Sequence, residues 1–185
     1  SDEARAGGAE LLRLPSHGGK GRALGLAFSH VLSRDYDYLV QMDGDGQHHP
    51  DDLPGMLRTI AELKVDVVIG IRLADPAPMP FHRRCLNRLI SRLISWLVGF
   101  PLCDTQSGFK IFRKALLPSL QLRSIRYETE TEFILEAARL GYRMAEHPIR
   151  TIYCEDKSLF KMLPAACGML RLLWRGWRQR SRPAR

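Results

Sequence analysis

The chain has 185 residues, 45% of them hydrophobic and 26% charged, which describes one globular domain with a sizeable core and excludes a disordered or fibrous protein. Its formal net charge of +8 points to a polyanionic partner, whether nucleic acid, an anionic membrane surface or a phosphorylated substrate. Its four cysteines (Cys85, Cys103, Cys154, Cys167) form no C-x-x-C pair, which argues against a cysteine-built zinc site and for reduced thiols in a cytosol.

In chain order, AELLRLP (9–15) predicts a short strand closed by Pro15. Residues 19–34 carry Leu24, Ala27, Phe28, Val31 and Leu32 at helical spacing, and 36–43 form a mostly apolar strand run that ends at aspartates. Pro50, beside Asp51 and Asp52, opens a helix that extends toward Ala61 to Lys64. VDVVIGIR (65–72) is β-branched enough for a buried parallel strand. After the proline-rich loop 74–80 comes an amphipathic helix, with Leu86, Leu89, Ile90, Leu93, Ile94 and Leu97 on one face and Arg88, Arg92 and Ser95 elsewhere. Those two arginines break the best candidate for a membrane span, and the N-terminus has no signal-peptide pattern. A strand over 108–113, a helix over 130–143 ended by Gly141, and a strand-like 142–153 with Pro148 at an edge or break complete the pattern. Strands alternating with helices predict an α/β domain on a largely parallel sheet.

The segment QMDGDGQHHPDDLP (41–54) falls where a strand ends and a helix begins, the usual ligand position in open α/β sheets. Asp43 and Asp45 stand two apart around Gly44, so a bent strand end can aim both carboxylates at one point. Such hard ligands suit Mg2+ or Mn2+, with Gln47 adding a neutral oxygen; the competing reading is a surface turn with acidic helix capping. His48 and His49 do not suggest zinc, because adjacent residues rarely converge on one ion and no histidine follows at i+4; they read as incidental. Lys20, in the glycine-rich turn HGGKGRA (17–23), is available to an anionic ligand, although the segment is not a Walker loop and also reads as a solvated turn. Arg72, Arg83 and Arg84 are either fixed cations or an exposed basic face. In CDTQSGFKIFR (103–113), Asp104 is a candidate base or charge stabiliser, or the cap of a tight turn shaped by Ser107 and Gly108. Glu130 and Glu132 read as a polar helix start or as residues lining the site.

In sequence, HGGKGRALGLAF, VQMDGDGQHHPDDL, VDVVIGIRL, DTQSGFKIFR and ETEFILEAARLGYRMAEHPIRTIY resemble the family 2 glycosyltransferases of the GT-A fold over residues 17–158, and most closely the polyprenyl- and dolichyl-phosphate mannosyl- and glucosyltransferases. The resemblance implies a Rossmann-like, mostly parallel sheet flanked by helices. It also implies a metal-dependent, inverting transfer of a hexose from a GDP- or UDP-hexose donor to a polyprenyl phosphate. Asp43 would touch the donor, and Asp43, Asp45 and Gln47 would hold Mg2+ or Mn2+. Lys20, Arg72, Arg83 and Arg84 would bind substrate, and Asp104 would stand near the sugar and the attacking oxygen. An acceptor phosphate is already ionised, so Asp104 is expected to orient more than to deprotonate.

The chain opens at residues that resemble those just after the family's first βαβ portion, so an N-terminally truncated GT-A domain is expected over 1–158. Beyond it, 159–185 interleave Leu170, Leu172, Leu173, Trp174 and Trp177 with Arg171, Arg175, Arg178 and Arg180. This basic amphipathic segment fits a peripheral position at the cytoplasmic face of a membrane, or an ordinary packing helix with a basic end. The alternative function is a catalytically silent membrane-surface module of the same fold. Nucleic acid is not expected as a partner, because no aromatic-basic stacking pattern accompanies the charge.

Overall fold

The computed structural model describes residues 2–16, 18–72, 81–124, 128–150 and 152, the side chains of 81–83 excepted. The proline-rich loop 74–80, the Arg83 side chain and the basic tail 159–185 therefore lie outside the described residues.

Four strands make one sheet: β1 (Tyr38–Gln41), β2 (Val67–Ile71), β3 (Lys110–Arg113) and β4 (Met144–Pro148), in the order β1-β3-β2-β4. β2 and β4 pair in parallel, with Val67 opposite Met144 and Ile71 opposite Pro148. β3 is antiparallel to both β1 and β2. Three strands thus share a direction and β3 runs against them, so the sheet is mixed where a mostly parallel one was expected. β-branched runs report burial on both faces, which this reversed central strand shares, and burial alone does not encode direction.

The reversal matters for the site. β3 enters the sheet at the edge where β1 and β2 leave it: the Gly70 N–H donates to the Phe109 carbonyl at 2.9 Å, and the Ile149 N–H to Ile71 at 3.1 Å. Polar segments that follow β1 and β2 and precede β3 therefore share one edge.

From residue 19 onward the helices form where the sequence predicts them, and a short one before that was not expected. α1 (Asp2–Ala6) precedes α2 (Gly19–Leu32); a single 3-10 turn, Pro50–Asp52, leads into α3 (Leu53–Glu62); then come α4 (Phe81–Val98) and α5 (Thr129–Arg139). Gly141 closes α5 at φ +80, a conformation that suits glycine. No strand forms over 9–15: this stretch has no sheet neighbour, and Leu12 is exposed. A lone extended segment leaves its backbone groups to water and gains nothing from strand formation.

Alternation along β2 sorts the core. Val67 and Ile69 pack with Ile94 of α4, Phe112 of β3, and Phe133 and Ile134 of α5. Val68 packs with Met56 and Ile60 of α3, and with Phe109, Ile111 and Ile149. Phe28 of α2 meets Phe112 edge-on at 5.7 Å, on the α4–α5 side.

α4 seats itself differently from its apolar pattern. Its buried line is Asn87, Ser91 and Ile94, while Leu86, Leu89, Leu93 and Trp96 are exposed. The polar turn beneath it decides this: Ser91 and Asn87 supply hydrogen bonds to residues 104 and 105 that a leucine could not.

Candidate active site

At the end of β1, buried Gln41 donates from Nε2 to Glu130 Oε1 at 2.8 Å. Two residues on, Asp43 Oδ1 accepts from Lys20 Nζ at 2.6 Å, and the same ammonium stands 2.5 Å from Glu130 Oε1. Lys110, wholly buried on β3, donates to Glu130 Oε2 and to the Ser107 carbonyl. Two ammonium groups and two carboxylates neutralise each other in this cluster. Burial pushes the Lys20 ammonium down, but Glu130 and Asp43 outweigh it and raise its pKa. Burial pushes the Glu130 carboxyl up, but Lys110 and Lys20 hold it below the usual carboxylate range.

Two glycines permit this approach. Gly21 lies against the Ser124 carbonyl, and Gly108 against the Asp43 carboxylate; a β-carbon at either position would overlap these atoms. The first brings the opening turn of α2 to the chain before α5, and the second lets the polar turn before β3 touch the residues after β1.

Asp104 anchors that turn and is fully buried. Arg72, just past β2, donates from Nε to Oδ2 at 2.8 Å and from a terminal nitrogen to Oδ1 at 3.0 Å, and its backbone N–H also reaches Oδ2 at 3.2 Å. Asn87 Nδ2 donates to Oδ1 at 2.9 Å, and the Gln106 N–H to the same oxygen at 3.2 Å. Burial pushes the Asp104 carboxyl up, but Arg72, followed by Asn87, holds it below the usual range. Glu146 of β4 caps the turn from the other side, accepting from the N–H groups of Cys103 at 2.6 Å and Asp104 at 3.2 Å. Gln106 donates to Thr131 of α5 at 2.8 Å.

Asp43 and Lys20 are joined in one cluster, and Arg72 and Asp104 in another. Asp45 is exposed, with Oδ1 accepting from the Gln47 N–H at 3.1 Å; the Gln47 carbonyl takes the Ile152 N–H. Arg84 lies half-buried three residues before Asn87 on α4. Lys20 is not simply poised for an anion, because two carboxylates already hold it.

The two histidines, read as incidental, sit in different surroundings. His49 does accept the Asp51 N–H at 3.4 Å, as the cap of the 3-10 turn. His48, by contrast, is buried with its ring 5.4 Å from that of Phe109. Sequence reading also missed Gln41, Asn87, Lys110 and Glu146. Lys110 carried a signal, a lysine inside the apolar run GFKIF; Asn87 carried a weaker one, a polar side chain in helical register with Ser91 and Ile94. Glu146 carried none, since a glutamate on an outer strand is ordinarily solvated.

An open α/β sheet with carboxylates and cations gathered at one edge is the architecture of proteins that handle charged ligands at strand ends. Residues 2–120 match the model of Glycosyl transferase family 2, and the chain belongs to that family. It is 36% identical to the UDP-N-acetylglucosamine–dolichyl-phosphate N-acetylglucosaminyltransferase of Methanococcus voltae, over 64% of this chain and 49% of that protein. It is 32% identical to the undecaprenyl-phosphate mannosyltransferase of Micrococcus luteus, over 75% of this chain and 59% of that one. The chain thus spans about half to three-fifths of the length of these relatives. Its fold is GT-A: glucosyl-3-phosphoglycerate synthase from Mycobacterium tuberculosis, solved with UDP, superposes with a TM-score of 0.72 at 18% identity, covering 99% of this chain and 65% of that one. The same enzyme has been crystallised with Mn2+ and UDP-glucose.

Proposed function

We propose that the protein is a metal-dependent, inverting glycosyltransferase that moves a hexose from a nucleotide-sugar to a polyprenyl phosphate. The observation that supports this reading is that the segment after β1, which holds Asp43 and Asp45, and the Arg72–Asp104 ion pair follow strands that end at the same edge of the sheet. The two relatives named for polyprenyl-phosphate transfer, and the Mn2+-bound structure of a fold neighbour, support it.

Asp43 and Asp45 are the hard oxygen ligands a divalent cation takes, and among the described residues Lys20 and the Gln47 N–H engage only Oδ1 of each carboxylate. Among the described residues no group of three His, Cys, Asp or Glu forms a metal cage. Mg2+ and Mn2+ do not need one, since one or two carboxylates suffice when water and donor phosphates complete the shell. Once bound, such a cation neutralises the charge that develops on the leaving nucleoside diphosphate. Arg72 supplies a fixed positive charge toward the donor, while Arg83 and Arg84, at the start of α4, serve the acceptor phosphate. Asp104 is a poor proton acceptor, because its oxygens are taken by Arg72, Asn87 and Gln106. Its role is to hold Arg72 in place, and the ionised acceptor oxygen attacks without a base.

The test is titration of GDP-mannose and UDP-glucose with and without Mn2+, beside transfer to a short polyprenyl phosphate. Asp45→Ala is expected to weaken Mn2+-dependent donor binding about tenfold or more, a hydrogen-bond-sized or larger loss. Donor binding that ignores both Mn2+ and Asp45 would overturn the metal assignment. Binding without transfer would favour the silent module.

Membrane contact fits the outer face of α4. Leu89 and Trp96 are 55% and 56% exposed, Leu86 and Leu93 accompany them, and Arg88 and Arg92 are also exposed. An apolar stripe with arginines beside it suits an anionic bilayer surface. Among the described residues no helix is long and apolar enough to cross a membrane. Leu89→Glu with Trp96→Glu is expected to lower cosedimentation with phosphatidylglycerol vesicles several-fold while leaving binding to phosphatidylcholine vesicles low throughout. Equal sedimentation of both proteins would remove α4 from the contact.

A further inference from the structure

Every backbone N–H from Leu102 to Gln106 donates to a side-chain oxygen. Ser95 Oγ takes that of Leu102 at 2.8 Å, Ser91 Oγ that of Thr105 at 3.1 Å, and Asp104 Oδ1 that of Gln106 at 3.2 Å. The N–H groups of Cys103 and Asp104, which stand between, both go to Glu146 Oε1. Most backbone donors bond to other backbone groups; here side chains of α4 and β4 set the shape of the turn from outside it. Among the described residues Glu146 alone accepts the N–H of Asp104, and Asp104 is fully buried, so water is no substitute.

Strand formation does not account for this glutamate. Alternation along β4 sends Met144 and half-buried Glu146 to the side of α4 and α5, and Ala145 and His147 to that of α3. Glu146 stands opposite Ile69, whose side of the sheet is apolar. A valine would suit that position better, and a carboxylate beside apolar side chains is costly unless it is hydrogen-bonded. Its two N–H partners belong to the turn that carries Asp104. Asp104 in turn holds Arg72 by two side-chain hydrogen bonds and a third from the backbone N–H.

We propose that Glu146 is a positioning residue for the transfer: by fixing the backbone at 103 and 104 it aims the Asp104 carboxylate, and through it the Arg72 guanidinium. This rests on the reading of Arg72 given above and extends it to β4. The contacts run from β4 to the turn before β3 and on to the end of β2, so elements from three strands fix one guanidinium.

The test separates reach from charge. Glu146→Gln keeps the length and an acceptor oxygen, Glu146→Asp keeps the charge on a shorter side chain, and Glu146→Leu removes the acceptor. Transfer to a short polyprenyl phosphate is measured with Mn2+ and whichever of GDP-mannose and UDP-glucose the wild type uses. The aspartate and leucine variants are expected to lose about tenfold in kcat with the donor KM within about twofold, and the glutamine variant to stay within about threefold of the wild type. Added to Asp104→Asn, Glu146→Asp is expected to cause no further loss, because both loosen the same arginine; an unrelated structural effect would multiply. Amide hydrogen exchange reads the turn without substrate: protection at Cys103 and Asp104 falls in the aspartate and leucine variants and persists in the glutamine one. The aspartate–glutamine contrast stands even if the leucine variant does not fold. Equal kcat in those two variants, unchanged exchange in the aspartate variant, or losses that multiply with Asp104→Asn overturn the proposal and leave the transferase reading in place. A wild type that transfers from neither donor overturns that reading, and this proposal with it.

Discussion

Alanine at Glu130 is expected to lower the unfolding free energy by about 3–5 kcal/mol, because it strands Lys110 as a buried, uncompensated charge. Lys110 is wholly buried, and the described partners that remain to its ammonium reduce to the Ser107 carbonyl. For a chain of this size that corresponds to a fall in melting temperature on the order of 10 °C, read by differential scanning calorimetry. Glu130→Gln keeps the shape and two hydrogen-bonding atoms, so it should fall between the wild type and the alanine variant. An alanine variant that melts with the wild type would show that the ammonium escapes to solvent. The sign of the pH dependence follows from the same cluster. The folded Glu130 carboxyl titrates below its unfolded counterpart, so its stabilisation is complete above the unfolded value of about 4.3 and is lost as pH falls through the depressed folded one. Removal of Glu130 should therefore flatten the acid limb of the stability curve and lower its neutral plateau.

Asp104→Asn carries the second large effect. The substitution keeps the volume but removes the charge that grips the Arg72 guanidinium at two points. Without its bidentate carboxylate Arg72 is held less firmly, and misplacement of about 1 Å near reacting atoms is enough for a roughly 100-fold loss of rate. The expected result is a fall in kcat of that order, with a smaller change in KM for the donor. The pH–rate profile separates two roles. A general base at residue 104 would leave an asparagine enzyme without the wild type's acid limb; a positioning role leaves the shape of the profile the same and lowers its height. A full-rate asparagine variant would exclude both.

Much of the fold was readable because periodicity reports burial. The β-branched run of β2, the 3.6-residue spacing of α2 and α5, and Gly141 as a helix stop all reflect local physics that the chain obeys in place. Strand direction was not readable, since β3 presents the same apolar face whichever way it runs. The outer face of α4 misled for a related reason. Its leucines follow helical spacing, but the polar turn at 104 and 105 draws Asn87 and Ser91 inward, a preference that exists only once the turn is built. At the site, Asp43, Asp45, Arg72 and Asp104 stood out because charged residues at strand ends are informative without a structure. Glu130, Lys110 and Glu146 were harder, because each acquires its meaning from a partner distant in sequence.

The pairing of β1 with β3 also bears on the making of the protein. Tyr38 lies opposite Arg113 and Gln41 opposite Lys110, and Gln41 and Lys20 find their carboxylate partner only at Glu130. With strand pairs 69 to 75 positions apart and synthesis at about 5–20 residues per second, β1 leaves the ribosome on the order of several seconds before its partner strand exists. During that interval its apolar residues and unpaired backbone are open to whatever else is nearby, and loop closure over such a distance is intrinsically slow. The aspartates that follow β1 are translated early but gain their surroundings late. A nascent chain stalled before residue 110 would carry both Asp43 and Asp45 and still lack the β3 strand, Lys110 and Glu130.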